Sequence, residues 1–477
     1  MAKSVEMPLN AVVLALFLVG VAAVGSHEDS PTSGCPDSVR AMADWYPEKT
    51  YEVFDKFLDL KLRHYRNLKP GWVEKALNLG ACNECDPSEK RWNTHFKIVN
   101  GTAYSAGGIP IFWNDHHRKR VKSVFTLLTK LLQLDPKLPD VEFVVNFHDY
   151  NKLLREESMP WGDFSNATSS SSKEEPDGDA ERDDRMGQQG AAGTFQEHLE
   201  QWPGQDWQLY YRIYGNHFGN SPLPVDAGTG PDTALFSATS CAFSHDVSFP
   251  TTFYDFEDMD AEWANLTARS DRLHPWRAKR DAAYFRGSCW YYKQHGRTAA
   301  FVMGKAAPDL VDAEWYSEIR TDMLEKDGVP QFGDIAEAGS HKYLLHLEGH
   351  DFWSMRIRWL ARIRSLVLKQ QLPCAEFYEG LFRPHEHYVP IRRDLGDLYE
   401  AIYRARARDD EARRIADAMV ARASETLTST AVLQYTHMLL TRFACLQRYP
   451  IRVGPADRPI DPHSRCLSTM LPCEQPP

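Results

Sequence analysis

Apolar positions across residues 36–78 recur at helical spacing among many charges, and Val53, Phe54, Phe57, Leu58 and Leu60 form one stripe. A second helix is predicted over Arg120–Leu134, where Val124, Leu127, Leu128, Leu131 and Leu132 share a side. The period then changes. Pro139 introduces Val141-Glu-Phe-Val-Val-Asn-Phe147, a β-branched and aromatic run that reads as a buried strand. His148, Asp149 and Tyr150 stand at its C-terminal end. Between 165 and 193 the chain is low in complexity, with the serine run Ser169–Ser172 and almost nothing apolar. Such a stretch cannot offset its ordering entropy by burial, so a disordered insertion is predicted.

Short apolar runs and amphipathic stretches alternate through the second half. Strands are predicted at Ala282–Phe285, Tyr343–Leu347, Ser365–Leu368 and Tyr388–Ile391. Helices are predicted at Ser354–Ile363 with Ser354 as N-cap, then at Asp397–Arg406, Glu411–Ser424 and Ala431–Leu446. No repeat of 20–50 residues is visible. Strands alternating with helices predict an α/β architecture with largely parallel sheets, in which ligands gather at the carboxyl ends of strands.

The 477 residues suffice for two ordinary domains. A formal net charge of −11 argues against broad attraction to nucleic acid. Lys3, the apolar run Ala11–Val24 and the small residues Ala23 and Gly25 read as a signal peptide over 1–25, with an uncleaved anchor as the alternative. No second stretch could cross a bilayer. Nine cysteines, including the Cys82-Asn-Glu-Cys85 pair, and sequons at Asn100, Asn166 and Asn265 fit an oxidising lumen and structural disulfides. The expected location is the lumen of the endoplasmic reticulum or Golgi, or secretion; no Lys-Asp-Glu-Leu-like tail signals retention.

Asp149, directly after a hydrophobic strand, stands where a ligand would bind, and a carboxylate there can take a proton from an attacking hydroxyl. The plainer reading is an aspartate that caps the next turn. Ala283-Tyr-Phe-Arg-Gly-Ser288 brings a strand into a glycine turn where amides can approach a phosphate, or is an ordinary tight turn. Gly349-His-Asp-Phe-Trp-Ser-Met-Arg356 leads a strand through glycine to a helix start, a place suited to an anion. Arg356 is poorly placed for the helix dipole, so a bound pyrophosphate would account for it; Arg358, Arg362 and Arg364 also allow a solvated basic face. His346-Leu-Glu348 with Pro373-Cys374 approaches a zinc-deaminase pattern but has Phe377 where the last ligand belongs. His385-Glu-His387 and Asp115-His-His117 lack the spacing of a zinc helix. Asp258-Met-Asp260 has a D-x-D form that can hold a divalent ion on a diphosphate.

Taken in order, several segments together resemble the family 90 glycosyltransferases, which include Rumi-type protein O-glucosyltransferases, fungal capsule-associated proteins and β-1,2-xylosyltransferases. They are Val144-Val-Asn-Phe-His-Asp-Tyr150, Asp246-Val-Ser-Phe-Pro250, Ala283-Tyr-Phe-Arg-Gly-Ser288, His341-Lys-Tyr-Leu-Leu-His346, Trp353-Ser-Met-Arg356, and Glu376-Phe-Tyr378 leading to His387-Tyr-Val-Pro390. A late helix around Tyr435 also fits, and the resemblance covers roughly residues 90–450.

The resemblance implies an α/β fold of two Rossmann-like domains facing across a cleft (GT-B type), with the C-terminal helix crossing back. The corresponding expectation is an acceptor-side domain over 36–260 carrying the insertion 165–193, a nucleotide-sugar domain over 261–450 and a tail over 451–477. It implies inverting, metal-independent transfer of glucose or xylose from a UDP-sugar to a hydroxyl of a protein or glycan, without a cofactor. Asp149 takes the place of the base and Arg356 that of the diphosphate contact. Arg286, Gly287, Ser288, Gly349, Trp353, Ser354 and Met355 complete the donor site. Cys289 stands where many members have arginine, His148 likewise, and Glu348 and His350 flank the glycine where the Rumi type has arginine and a small residue. The alternatives are a non-catalytic sugar or protein binder on the same scaffold and a metal-dependent transferase using Asp258 and Asp260.

Overall fold

A computed structural model describes residues 48–65, 68–79, 93–106, 115–148, 153, 232–242, 244–253, 256–287, 295–315, 335–349 and 352–463. The expected signal peptide, the insertion 165–193, Cys82, Cys85, Asn166, Asp149, Ser288, Cys289 and His350 lie outside these residues.

In the first half, α1 (Glu48–Leu62), α2 (Trp72–Asn78) and α3 (Asp115–Leu134) pack around a mixed sheet. That sheet contains β1 (Asn93–Val99), β2 (Thr102–Ser105), β3 (Val141–Asn146), β4 (Phe236–Ser237) and β6 (Val247–Ser248); β5 (Ser240–Cys241) pairs elsewhere. The order from one edge is Arg458–Pro459, β2, β1, β3, β4, β6. The largely parallel sheet expected from the sequence is corrected here: β1 runs antiparallel to both β2 and β3, and only β3, β4 and β6 are parallel. A two-residue turn makes the β1–β2 hairpin, in which Asn100 and Gly101 take positive φ of 49° and 72°. Asn100 is exposed there, and Asn265 is exposed on α4 (Met259–Leu273).

The second half is a doubly wound sheet. It is built from β7 (Arg280–Gly287), α5 (His295–Ala306), β8 (Val311–Trp315), α6 (Ile335–Ala338), β9 (His341–His346), α7 (Ile357–Leu360) and β10 (Leu366–Gln370). After β11 (Cys374–Ala375), which pairs with β5, comes the edge strand β12 (Val389–Ile391). All pairings within this sheet are parallel, in the order β12-β10-β9-β7-β8. Counted along the chain this is 2-1-3-4-5, and the winding reverses between β7 and β9, the crevice where open α/β sheets bind ligands.

Residues alternate across this sheet as period-2 packing requires. Phe285, Tyr343, Leu345, Leu366 and Leu368 face a core shared with α5, α8 (Leu398–Ala407) and the first half of α9 (Asp409–Thr426). Leu344 and Val367 face the other way, into a core continuous with that of the first half. The last helix, α10 (Ser429–Ala444), packs back on α1, α3 and β3. Its Tyr435 hydroxyl donates to the Ser248 carbonyl, and the Thr428 side chain caps its start. The strand β13 (Arg458–Pro459) then closes the first sheet against β2. The disulfide Cys241–Cys374 joins β5 to β11 and so links the two halves covalently.

Most strands and helices expected in the second half are present with shifted ends. The helix expected over Ser354–Ile363 is corrected to the four residues of α7. Arg362 and Ile363 donate to carbonyls three residues back, and this tightened turn delivers the chain into β10. No helix among the described residues is long and apolar enough to cross a membrane.

Candidate active site

The carboxyl ends of β7 and β9 carry the charged residues at the switch point. Arg356 Nη1 donates to the Arg286 carbonyl at 2.7 Å, and its guanidinium lies 4.7 Å from the centre of the Phe285 ring. Gly287 permits this approach, since a Cβ there would stand 2.9 Å from the Phe285 ring and 3.2 Å from Arg356 Nη2. On the β9 side the Gly349 amide donates to the Trp353 carbonyl at 2.7 Å, closing a tight loop. A Cβ on Gly349 would meet that carbonyl oxygen at 2.5 Å. His346 donates from Nε2 to the Ser354 carbonyl at 3.0 Å and anchors the far side of the loop. Burial first, then Lys369, Arg356 and Arg297, push the His346 pKa down to about 3, so its imidazole is neutral.

The structure therefore brings Gly287, Gly349, Trp353, Ser354, Met355 and Arg356 together. Ser354 Oγ accepts the Arg356 amide at 3.4 Å, and Met355 Sδ lies 3.2 Å from Arg358 Nη2. Arg286 turns to the neighbouring strand instead. Its Nη2 pairs with Asp312 at 2.7 Å, and its Nη1 donates to the Asp312 carbonyl at 2.8 Å. Against the upward push of burial, Arg286, His341 and Arg280 hold the Asp312 carboxyl below its usual value. The helix-dipole argument for an anion also weakens, because α7 is one turn long and Arg356 precedes it without a side-chain cap. Charge at this site comes from side chains.

Described residues on either side of position 149 are hydrogen-bonded into the fold. Buried Arg120 donates to the Phe147 carbonyl at 2.7 Å, and the His148 amide donates to Asn146 Oδ1 at 2.9 Å. On the other side the Leu153 amide donates to Asp246 Oδ2 at 2.7 Å, and the His245 amide donates to the Leu153 carbonyl at 2.7 Å. Asp246 Oδ1 accepts from Ser237 Oγ at 2.6 Å, which in turn accepts from Asn146 at 3.1 Å. Asp246 is the organiser that sequence reasoning quoted in a motif without giving it a role. An aspartate directly before the apolar Val247-Ser-Phe249 is the signal the sequence offers.

One contact joins the two sets of strand ends. Arg358, two residues past Arg356, donates to the Thr252 carbonyl at 2.6 Å and packs 4.7 Å from the Phe253 ring. Thr252 follows β6, and β3 lies two strands away, about 10 Å at ordinary strand spacing. Arg358 thus ties the segment that follows β6 to α7. Thr252 Oγ1 also donates to Glu376 Oε1 at 2.8 Å, and Tyr378 donates to the same carboxylate.

The other motifs are absorbed by the fold. Asp260 accepts both the amide and the hydroxyl of Ser429, at 2.9 and 2.5 Å, and so braces the start of α10. Cys374 is in the disulfide, and His387 Nδ1 accepts the Arg383 amide at 2.9 Å. No group of three or more His, Cys, Asp or Glu suited to a metal occurs among the described residues.

Comparison with known proteins places the chain among its relatives. The protein O-glucosyltransferase 3 of Mus musculus is 28% identical over 241 residues, covering 50% of this chain and 45% of the relative. The protein O-glucosyltransferase 1 of Rattus norvegicus is 28% identical over 238 residues, covering 46% of this chain and 59% of the relative. An uncharacterised protein, 035R, of Invertebrate iridescent virus 3 is 28% identical over 203 residues, covering 39% of this chain and 18% of the relative. The chain spans about half the length of the O-glucosyltransferases it matches. The family model described as glycosyl transferase family 90 matches residues 230–470, just over half of the chain, from β4 through the whole doubly wound sheet. The chain belongs to glycosyl transferase family 90.

Proposed function

We propose that this protein is an inverting glycosyltransferase of GT-B type, moving glucose or xylose from a UDP-sugar to a hydroxyl in the secretory-pathway lumen. The observation that carries this reading is Arg356, held by the Arg286 carbonyl and the Phe285 ring at the switch point of a doubly wound sheet. The names of the O-glucosyltransferase relatives favour glucose as the sugar and a protein as the acceptor. The disulfide favours an oxidising compartment.

Asp149 accepts the proton of the acceptor hydroxyl as its oxygen attacks the anomeric carbon from the face opposite UDP. The C1–O bond to UDP breaks with its electron pair leaving on the phosphate oxygen. Arg356 neutralises that developing charge, a preorganised electrostatic role. The reaction uses no metal or other cofactor.

Turnover of UDP-glucose and UDP-xylose, with UDP binding measured alongside, tests the assignment. Asp149→Asn should slow transfer by about 10²–10⁴-fold and leave UDP affinity nearly unchanged. Arg356→Gln should weaken both, and a chelator should change neither. Near-normal transfer by the Asp149 variant would remove the base. UDP binding without turnover of either donor by the wild type would favour the binder reading, which Cys289 keeps open.

A further inference from the structure

A second guanidinium stands at the same crevice. Arg297, in the first turn of α5, lies 5.6 Å from the Phe285 ring that Arg356 also approaches. Its position is built from several directions. Arg297 Nε donates to the Glu348 carbonyl at 2.6 Å, and the adjacent Gly296 amide donates to Glu348 Oε1 at 2.6 Å. The Glu348 amide donates to Gln370 Oε1 at 2.8 Å, and Gln370 donates to the Arg393 carbonyl at 2.8 Å. One buried glutamate at the end of β9 thus fastens the start of α5 by its backbone and its side chain together, and the end of β10 holds that glutamate.

From this geometry we infer that Arg297 is a second ligand of the donor diphosphate, forming with Arg356 a two-arginine cradle over Phe285, and that Glu348 positions it. The inference rests on the UDP-sugar reading above and adds residues to it. Two guanidinium groups brought to one aromatic ring at the switch point offer the planar, multiply donating chemistry that a diphosphate takes. Neutral His346 beside them registers the field, since both arginines contribute to its lowered pKa. Sequence supplies the motive for the arrangement: the position after Ser288 is Cys289, which brings no charge. Glu348, unlike the arginine of the Rumi type, can accept the Gly296 amide.

The experiment measures the affinity of the full chain for UDP and for uridine by calorimetry, with melting temperature as the fold control. Arg297→Gln should weaken UDP by about tenfold or more and leave uridine within about twofold, since uridine carries no phosphate for the lost charge to meet. Glu348→Ala, which removes the acceptor of the Gly296 amide, should shift the UDP-to-uridine ratio in the same direction by a smaller factor, and Glu348→Gln, which keeps an acceptor there, should restore it, a pattern that a purely structural residue would not give. Should Arg297→Gln fail to fold, Arg297→Lys retains the charge without the Nε bond, and a lowered UDP-to-uridine ratio in that variant supports the cradle. Unchanged UDP affinity in a folded Arg297 variant, with affinity lost in Arg356→Gln, would overturn the inference and leave the donor reading standing. Equal loss of UDP and uridine in the Arg297 variants would also overturn it. A wild type that binds neither compound would overturn the donor reading and the cradle together.

Discussion

His346 ends its strand as a buried neutral imidazole, and its cost appears in acid. The unfolded chain takes up a proton near pH 6.5, whereas the folded protein resists until about pH 3. Stability that is fully present above pH 6.5 is therefore lost as pH falls towards 3, by about 2 kcal/mol at pH 5. His346→Gln can still donate to the Ser354 carbonyl from its Nε2 and does not titrate. Its melting temperature should fall less than that of the wild type between pH 7 and pH 5; equal falls would contradict the assignment. Gly349 acts through space rather than charge. Gly349→Ala must move the Trp353 carbonyl, which would stand 2.5 Å from the new Cβ, and with it the loop leading to Arg356. A destabilisation of about 1–3 kcal/mol and weaker UDP binding are expected from denaturant titration and calorimetry.

At the scale of elements, α7 and α10 show how differently two helices serve the site. α7 is a single turn, so the positive charge at this crevice is carried by guanidinium groups such as that of Arg356, held by a strand-end carbonyl, and not by a helix N-terminus. α10 is long and buried, and its start is braced by Asp260 through Ser429. Asp260→Ala should lower stability by about 0.5–2 kcal/mol, as loss of a helix-start contact does, while transfer continues at a near-normal rate. Transfer abolished in a folded Asp260 variant would revive the metal-dependent reading. Strand and helix types in the second half were legible because each segment follows one period, as Tyr343–Leu347 does. The first sheet was misjudged because its direction depends on the Asn100-Gly101 hairpin and on pairings that sequence separation hides.

Among the described residues, the two halves share a continuous apolar core and are held by further ties. Arg358 reaches Thr252 polar to polar, α10 lies on the first sheet, and Cys241–Cys374 closes a loop between residues separated by 133 positions. Cross-linking so distant a pair restricts the unfolded chain, by about 3–5 kcal/mol in the chain-entropy account. Cys241→Ser with Cys374→Ser should lower the melting temperature markedly and slow transfer as the halves lose their mutual alignment. Retained stability with unchanged transfer would show that α10 and Arg358 hold the halves unaided.

Local patterning determined the α/β class, the strands of the second sheet and the family, because apolar period and ordered short motifs are properties of contiguous residues. It also singled out Gly287, Gly349 and Arg356, where glycine and charge at a strand end have a direct physical meaning. Only the tertiary structure decided that Arg286 belongs to Asp312, that Asp246 holds Leu153 and Ser237, and that Arg297 and Glu348 join the crevice. Those relations run between residues far apart in the chain. Their partners are chosen by the order of strands in the sheet and the direction each strand end faces, which no local spacing encodes.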